Sequence, residues 1–124
     1  MKRRKFIEMA SFGSAALASS LYFPESSQAR KLKLGLIGSG WYGMVDAVAA
    51  IKAGGVEIAA VCDVDSEHLS SSALELEKLQ GFRPQTFKYY PELLDVKGLD
   101  AVIIGTIPHW HALQCSAACK KGLH

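Results

Sequence analysis

Three glycines, Gly38, Gly40 and Gly43, constrain the fold of this chain more than any other feature of its sequence. They directly follow the apolar run Leu32–Ile37, whose nearly continuous hydrophobicity is typical of a strand covered on both faces. They also open the segment Trp41–Ala53, in which apolar residues recur at helical spacing. A glycine turn between a buried strand and a helix can bind an anionic phosphate, because the first N–H groups of a helix have no partner within it.

An acidic residue follows the second predicted strand at the distance that a dinucleotide site requires. The strand is Val56–Cys62, and Asp63 stands 20 residues after Gly43. In dinucleotide-binding folds a carboxylate at this distance accepts hydrogen bonds from the adenosine ribose. Its charge would repel the 2′-phosphate of NADP, so the sequence predicts a site for NAD and disfavours NADP. The alternative is a glycine turn that only connects strand and helix, with Asp63 as a helix cap.

The glycine turn supplies the predicted phosphate contacts. We expect Gly38 to permit the tight turn, Gly40 to leave room for the pyrophosphate, and Gly43 to let the helix pack close to the first strand. The predicted phosphate-binding residues are Gly38, Ser39, Gly40, Trp41, Tyr42 and Gly43.

The rest of the chain alternates between strands and helices. We expect a helix from residue 65 or 66 to 80, a strand at 85–89, a short helix at 91–95, a strand at 99–105 and a last helix that follows His111 and ends near residue 121. Four rounds of strand and helix predict an α/β fold with a parallel sheet and helices on both faces. The predicted apolar face of the first helix consists of Met44, Val45, Val48 and Ile51.

The first 29 residues have the pattern of an export signal. A basic start is followed by a mild apolar stretch at residues 9–23 and by Ser27-Gln28-Ala29, which predicts cleavage before Arg30. The apolar stretch is shorter than the roughly 18–20 residues that a membrane-spanning helix needs. Arg3-Arg4-Lys5-Phe6-Ile7 resembles a twin-arginine motif, which predicts the twin-arginine export machinery as a partner and the bacterial periplasm as the destination. A general secretory signal or a basic tail are the alternatives.

The charge balance argues against a nucleic-acid-binding protein, and the cysteine content argues against a disulfide-rich one. The first 29 residues hold four basic and two acidic residues of the chain's 14 and 12, which leaves ten of each sign afterwards. A neutral domain without a basic stripe argues against a nucleic-acid surface. Three cysteines are too few for a disulfide framework. Cys115 and Cys119 are expected to pack as small apolar groups in the last helix.

The chain resembles the Gfo/Idh/MocA family of NAD(P)-dependent oxidoreductases from about residue 31 to residue 124. The resemblance rests on the blocks LIGSG (36–40), AVCD (60–63), YPELLD (90–95), DAVIIGT (100–106) and HWHAL (109–113). The last two blocks in tandem are more specific than the glycines.

The resemblance implies a Rossmann-type sheet with strand order 3-2-1-4 that stops before strand five and leaves the outer edge of strand four open. It also implies that the backbone of Gly105, Thr106 and Ile107, together with His111, lies along the cofactor toward its nicotinamide end. Ile107 stands where relatives have proline. His111 could instead cap the last helix or lie on the surface. We predict no catalytic residue and no metal ligand in this chain.

Members of this family continue with a Glu-Lys-Pro motif, whose lysine is the presumed catalytic residue, and with a second domain that supplies the substrate pocket and much of the subunit interface. We therefore expect residues 30–124 to be an incomplete NAD(P)-binding domain of an exported oxidoreductase that acts on a sugar or polyol. The alternatives are part of an NAD-dependent glycosidase, a nucleotide-binding module without catalytic activity, and a chain without function. An oligomer is expected only with the second domain.

Overall fold

The computed structural model describes residues 29–124. Its strands are β1 (Leu32–Ile37), β2 (Val56–Cys62), β3 (Gln85–Phe87) and β4 (Ala101–Ile104), and its helices are α1 (Trp41–Ala53), α2 (Ser66–Gln80), α3 (Tyr90–Leu94) and α4 (Pro108–Lys120). The four strands are parallel and form one sheet in the order β3-β2-β1-β4. The predicted α/β class and the Rossmann-type strand order are confirmed. Residues 1–28 of the predicted export signal lie outside the described residues.

The helices cover the sheet from both faces, and each face has its own apolar cluster. On one face Leu34, Leu36, Ile58 and Val61 of the sheet pack with Ala47 of α1 and Leu76 of α2. On the other face Ile37, Ala60 and Cys62 pack with Leu93 and Leu94 of α3 and Ala118 of α4. Side chains of a strand alternate between faces, so the apolar run of β1 feeds both clusters.

A bulge in β2 sets which of its residues face each cluster. Leu34 pairs with Ile58, but the next residue of β1, Gly35, pairs with Ala60. The side chain of Gln80, at the end of α2, bonds both backbone groups of Ile58 just before the bulge, at 2.9 Å to the N–H and 2.8 Å to the carbonyl. These two bonds fix the end of α2 to the strand and satisfy polar groups that the bulge leaves available.

Several element boundaries differ from the predicted ones. β3 ends at Phe87 rather than at residue 89, and β4 spans only Ala101–Ile104. The last helix begins at Pro108, so His109 and His111 lie inside its first turns rather than before it. Proline suits the first turn of a helix because its missing N–H would have no partner there.

The predicted apolar face of α1 is confirmed for Met44 and Ile51, which pack against the apolar cluster, but not for Val45, which is 47% exposed. The buried residues of the helix are Gly43 and Ala47. The small residues Gly43 and Ala47 allow the helix backbone to approach the sheet, which turns Val45 and Val48 toward a groove between α1 and α2.

The outer edge of β4 is partly paired, although we expected an open edge. The N–H of Val102 donates to the carbonyl of His124 at 2.8 Å, and the N–H of His124 donates to the carbonyl of Asp100 at 3.2 Å. These two bonds bracket Ala101 in the pattern of a parallel pair. His124 therefore pairs with the outer edge of β4 as a residue of a neighbouring parallel strand would.

Within residues 29–124, the structure contains no helix with the length and apolar character to cross a membrane.

Candidate functional site

The glycine turn meets the loop after β4 at the carboxyl ends of the strands. The N–H of Gly38 donates to the carbonyl of Cys62 at 2.8 Å, and the N–H of Gly105 donates to the carbonyl of Ile37 at 2.8 Å. Gly38 adopts a φ of +86°, in the region that favours glycine. The turn is thus fixed to both neighbouring strands.

At three positions of this junction only glycine fits, because a Cβ atom would clash with the backbone of a neighbouring segment. A Cβ atom at Gly43 would lie 2.0 Å from the carbonyl oxygen of Gly38, and one at Gly105 would lie 2.5 Å from the Cα of Gly43. A Cβ atom at Gly38 would lie 2.8 Å from the backbone nitrogen of Thr106. The start of α1, the turn and the loop after β4 therefore pack backbone against backbone.

Gly40 differs from the other glycines of the motif. A Cβ atom there would meet nothing within 4 Å, and its φ of −67° is open to any residue. It is the N-cap of α1 and makes no side-chain cap, and the first turn of this helix holds no acidic residue. The positive end of the helix dipole thus faces open space, which suits an anionic phosphate group.

The carboxylate of Asp63 is joined to the glycine turn. Its Oδ2 accepts from the N–H of Ser39 at 2.8 Å and from the Ser39 hydroxyl at 3.2 Å, while its Oδ1 accepts from the N–H of Asp65 at 2.9 Å. Ser39 is buried and Asp63 is half-buried. A carboxylate has about four acceptor positions, so these bonds fix its orientation and leave acceptor capacity on Oδ1. The cap of α2 is Asp65 rather than Asp63.

A cavity of about 590 Å³ opens beside this junction, on the side of the sheet that carries α3 and α4. It brings together predicted residues from all three segments: Gly38, Gly40, Asp63, Gly105, Thr106 and Ile107. Its charged lining side chains are Asp63 and Lys88, and most of the remaining lining is apolar or aromatic. A mostly apolar cavity with a few polar groups is typical of a site for a small organic ligand.

Sequence reasoning missed part of this lining. The missed residues are Ile37, Cys62, Val64, Lys88, Tyr89, Tyr90, Pro91, Trp110 and Gln114. Tyr89 and Tyr90 could have been found, because they follow the third predicted strand at the same edge of the sheet as Asp63. Gln114 could have been found as a polar residue four positions before Ala118, on the face of α4 that packs on the sheet.

Trp41 and Tyr42 lie outside this cavity. Their rings form an edge-to-face pair with centroids 6.0 Å apart, and they are 83% and 62% exposed. Trp41 lines a different cavity of about 600 Å³ between α1 and α2, which Ser39 and Gly40 also border. Only the backbone N–H groups of Trp41 and Tyr42, at the start of α1, are placed to meet a phosphate at the glycine turn.

His111 and Gln114 both contact Thr106. The Nε2 atom of His111 lies 2.6 Å from the carbonyl oxygen of Thr106, and the Thr106 hydroxyl donates to Oε1 of Gln114 at 2.5 Å. A carbonyl oxygen only accepts, so Nε2 of His111 carries the proton. His111 is exposed and does not line the cavity.

Cys62 lies at the base of the cavity. Burial, with smaller contributions from the nearby carboxylates of Asp63 and Glu92, raises the pKa of its thiol to about 12. The thiol is therefore neutral near pH 7 and is a poor nucleophile. Cys115 and Cys119 are exposed, so the prediction that they pack as apolar groups is wrong.

The site suits an anionic nucleotide, and the described residues hold no cluster of metal-binding side chains beside it. Within residues 29–124 there is no group of three or more His, Cys, Asp or Glu side chains arranged to hold a metal ion. The charged and polar groups of the site are suited to hydrogen bonding and charge pairing.

Residues 32–124 match the Gfo/Idh/MocA family, described as an oxidoreductase family with an NAD-binding Rossmann fold. A curated relative, a glycosyl hydrolase family 109 protein of Stenotrophomonas maltophilia, is 33% identical over 99% of this chain, which spans 28% of that relative. A probable dehydrogenase from Thermotoga maritima is 26% identical with a TM-score of 0.64, over 75% of this chain and 26% of its own. The apo scyllo-inositol dehydrogenase of Lactobacillus casei is 25% identical with a TM-score of 0.68, over 77% of this chain and 27% of its own.

Proposed function

Because the chain belongs to the Gfo/Idh/MocA oxidoreductase family, with its NAD-binding Rossmann fold, we propose that it binds NAD at the junction of the glycine turn, Asp63 and the loop after β4. The observation that carries this proposal is the open space at Gly40, directly beside a carboxylate held by Ser39. A phosphate group and a ribose need these two features at adjacent positions.

Each part of the site suits one part of the cofactor. The N–H groups of Gly40, Trp41 and Tyr42 bind the pyrophosphate at the positive end of α1. The Oδ1 atom of Asp63 accepts from a ribose hydroxyl. Val64, Tyr89 and Trp110 line the apolar cavity and hold the adenine, while Gly105, Thr106 and Ile107 lie along the dinucleotide.

The reaction that we propose is the oxidation of a sugar or polyol by a longer protein of which this chain is the NAD-binding part. Bound NAD supplies the hydride acceptor for such chemistry. The likeness to scyllo-inositol dehydrogenase supports a polyol as the class of substrate. The chain spans about a quarter of the relatives and solved structures that it matches.

A second candidate follows from the curated relative, which is named a glycosyl hydrolase. In this case bound NAD would serve a glycosidase that oxidises its sugar transiently. Incubation of the longer protein with an aryl glycoside and with free polyols separates the two. Release of the phenol without net NADH supports the glycosidase, and net NADH from a polyol supports the dehydrogenase.

We also propose that residues 1–29 direct export by the twin-arginine route, on the basis of Arg3-Arg4-Lys5-Phe6-Ile7. This route carries folded proteins, which suits a protein that must take up NAD before export. A reporter fused after residue 29 should reach the periplasm, and changing both arginines to lysine should abolish its export. Continued export of the double-lysine variant would contradict the proposal.

The substitution Gly40→Ser tests the NAD site. Serine is a favourable N-cap, and its Cβ atom would enter open space, so the stability of the fold should be kept or raised by roughly 0.3 kcal/mol. The serine side chain would occupy the N–H groups that the pyrophosphate needs, so the Kd for NADH should rise at least about tenfold, a loss of about 1.4 kcal/mol. Unchanged NADH affinity in a folded variant would contradict the proposal.

A further inference from the structure

Thr106 is held by two side chains from α4. His111 donates from Nε2 to its carbonyl oxygen at 2.6 Å, and its hydroxyl donates to Oε1 of Gln114 at 2.5 Å. We call these three residues the Thr106 latch. We propose that His111 is a positioning residue, which acts through Thr106 to hold the wall of the nucleotide cavity, and that Gln114, which itself lines the cavity, holds the Thr106 hydroxyl. This inference rests on the proposed NAD site.

The position of Thr106 explains why it needs to be held. It lines the cavity, and its backbone nitrogen would lie only 2.8 Å from a Cβ atom at Gly38. On its other side the chain enters α4, whose N-cap, Ile107, makes no side-chain cap. His111 ties the loop to the helix through the Thr106 carbonyl, a different group from the free N–H groups that a capping side chain would bond.

Gln114 is an unusual residue for its position. The buried residues of α4 are Gln114 and Ala118, and Gln114 is only 4% exposed. A buried amide costs free energy unless it is hydrogen-bonded, and an apolar residue would fill this position without that cost. The bond from Thr106 satisfies the Oε1 atom of Gln114, and it links the face of α4 that packs on the sheet to the wall of the cavity.

His111 acts at a distance from the cofactor in this arrangement. It is exposed and absent from the cavity lining, and its Nε2–H is already bonded to Thr106. His109, two residues earlier, is also exposed but lies beside the ring of Trp110. His109 therefore provides a matched control on the same turn of the helix.

The test compares NADH binding by the 124-residue chain and its variants through energy transfer from tryptophan to NADH. Gln114→Leu and His111→Ala each remove one bond of the latch, and each should raise the Kd for NADH by about 2- to 12-fold. His111→Gln keeps an N–H donor, so it should return the Kd to within about twofold of the parent. His109→Ala should leave it unchanged.

The melting temperature separates positioning from a purely structural role. A lower melting temperature with an unchanged Kd in Gln114→Leu and His111→Ala would overturn the proposal. An equal loss of affinity in His111→Ala and His111→Gln would also overturn it. If Gln114→Leu does not fold, His111→Ala provides the test, because His111 is on the surface.

Failure of the proposed NAD site is recognised separately. If the folded parent chain does not bind NADH, the proposed function is wrong and positioning of the cofactor falls with it. In that case the ¹⁵N spectrum of the imidazole rings tests the latch, because it shows which ring nitrogen of His111 carries the proton. A proton on Nε2 of His111 supports the latch, and a proton on Nδ1 alone overturns it.

Discussion

The backbone N–H of Ser39 donates to Oδ2 of Asp63 at 2.8 Å, across 24 residues of sequence. This bond joins the glycine turn after β1 to the acidic residue after β2, so the two parts of the proposed site are one hydrogen-bonded unit. The Ser39 hydroxyl adds a second bond to the same oxygen at 3.2 Å. The phosphate and ribose positions are therefore set relative to one another by the protein itself.

Removal of the Asp63 charge should weaken NADH binding and reduce discrimination against NADPH. Asp63→Asn keeps the size of the side chain but loses the charge, so the Kd for NADH should rise about tenfold or more, as expected for a hydrogen bond to a charged group. The ratio of the Kd values for NADPH and NADH should fall. Calorimetric titration of both nucleotides measures these values, with Asp95→Asn as a control for general charge effects. An unchanged ratio would remove Asp63 from the proposed site.

Gly43 and Gly40 should respond in opposite ways to a side chain. Gly43→Ala places a Cβ atom 2.0 Å from the carbonyl oxygen of Gly38, so it should destabilise the fold by about 3 kcal/mol or prevent folding. Gly40→Ser should fold normally and lose NADH affinity. Urea unfolding followed by circular dichroism measures the two stabilities. Equal stabilities of the two variants would contradict the close packing at Gly43.

Cys62 should resist alkylation in the folded protein. Its pKa is raised to about 12 by burial first and then by nearby carboxylates, so roughly one thiol in ten thousand is ionised at pH 8. Iodoacetamide at pH 8 should therefore modify the exposed Cys115 and Cys119 while it leaves Cys62 intact, and all three should react in urea. Peptide mass spectrometry reports each site. Modification of Cys62 at the rate of Cys115 would contradict the buried position.

Asp100 should contribute to stability at neutral pH and not in strong acid. The N–H of Lys33 and the side chain of Arg30 hold the pKa of Asp100 below its ordinary value of 3.8. Because the pKa is lower in the folded state, the contribution is present above about pH 4 and is lost as the pH falls through the folded-state pKa.

The difference in melting temperature between the parent chain and Asp100→Asn should therefore be largest near pH 7 and shrink below pH 3. Thermal unfolding across this range measures it. Arg30→Met removes only one of the two donors to Asp100. Its melting temperature at pH 7 should therefore differ less from that of the parent chain than the melting temperature of Asp100→Asn does. A difference between the parent and Asp100→Asn that does not change with pH would contradict the assignment.

Local sequence signals predicted most of the fold. The boundaries of α1 and β2 agree with the structure, because Gly40 and Gly54 flank α1, and Gly55 and Asp63 flank β2. The helix predicted to start at residue 65 or 66 starts at Ser66, and Asp65 caps it by accepting from the N–H groups of Glu67 and His68. These features depend on residues that are close together in the chain.

Features that depend on tertiary contact were not predictable. The rotation of α1 is set by the approach of Gly43 to Gly38 and Gly105, so Val45 is exposed although it belongs to the predicted apolar pattern. Cys115 and Cys119 are exposed because α4 turns Gln114 and Ala118 toward the sheet. The cavity brings Trp110 of α4 together with Asp63 after β2, which are 47 residues apart in the chain.

The most direct test of the central claim is a map of backbone amide shifts when NADH is added to the ¹⁵N-labelled 13.4 kDa chain. The largest changes are expected at residues 38–43, at Asp63 and Val64, and at residues 105–107. NADPH at the same concentration should produce weaker changes at the same positions. A folded chain whose amides do not shift with NADH, or shift only away from these three segments, would contradict the proposed NAD site.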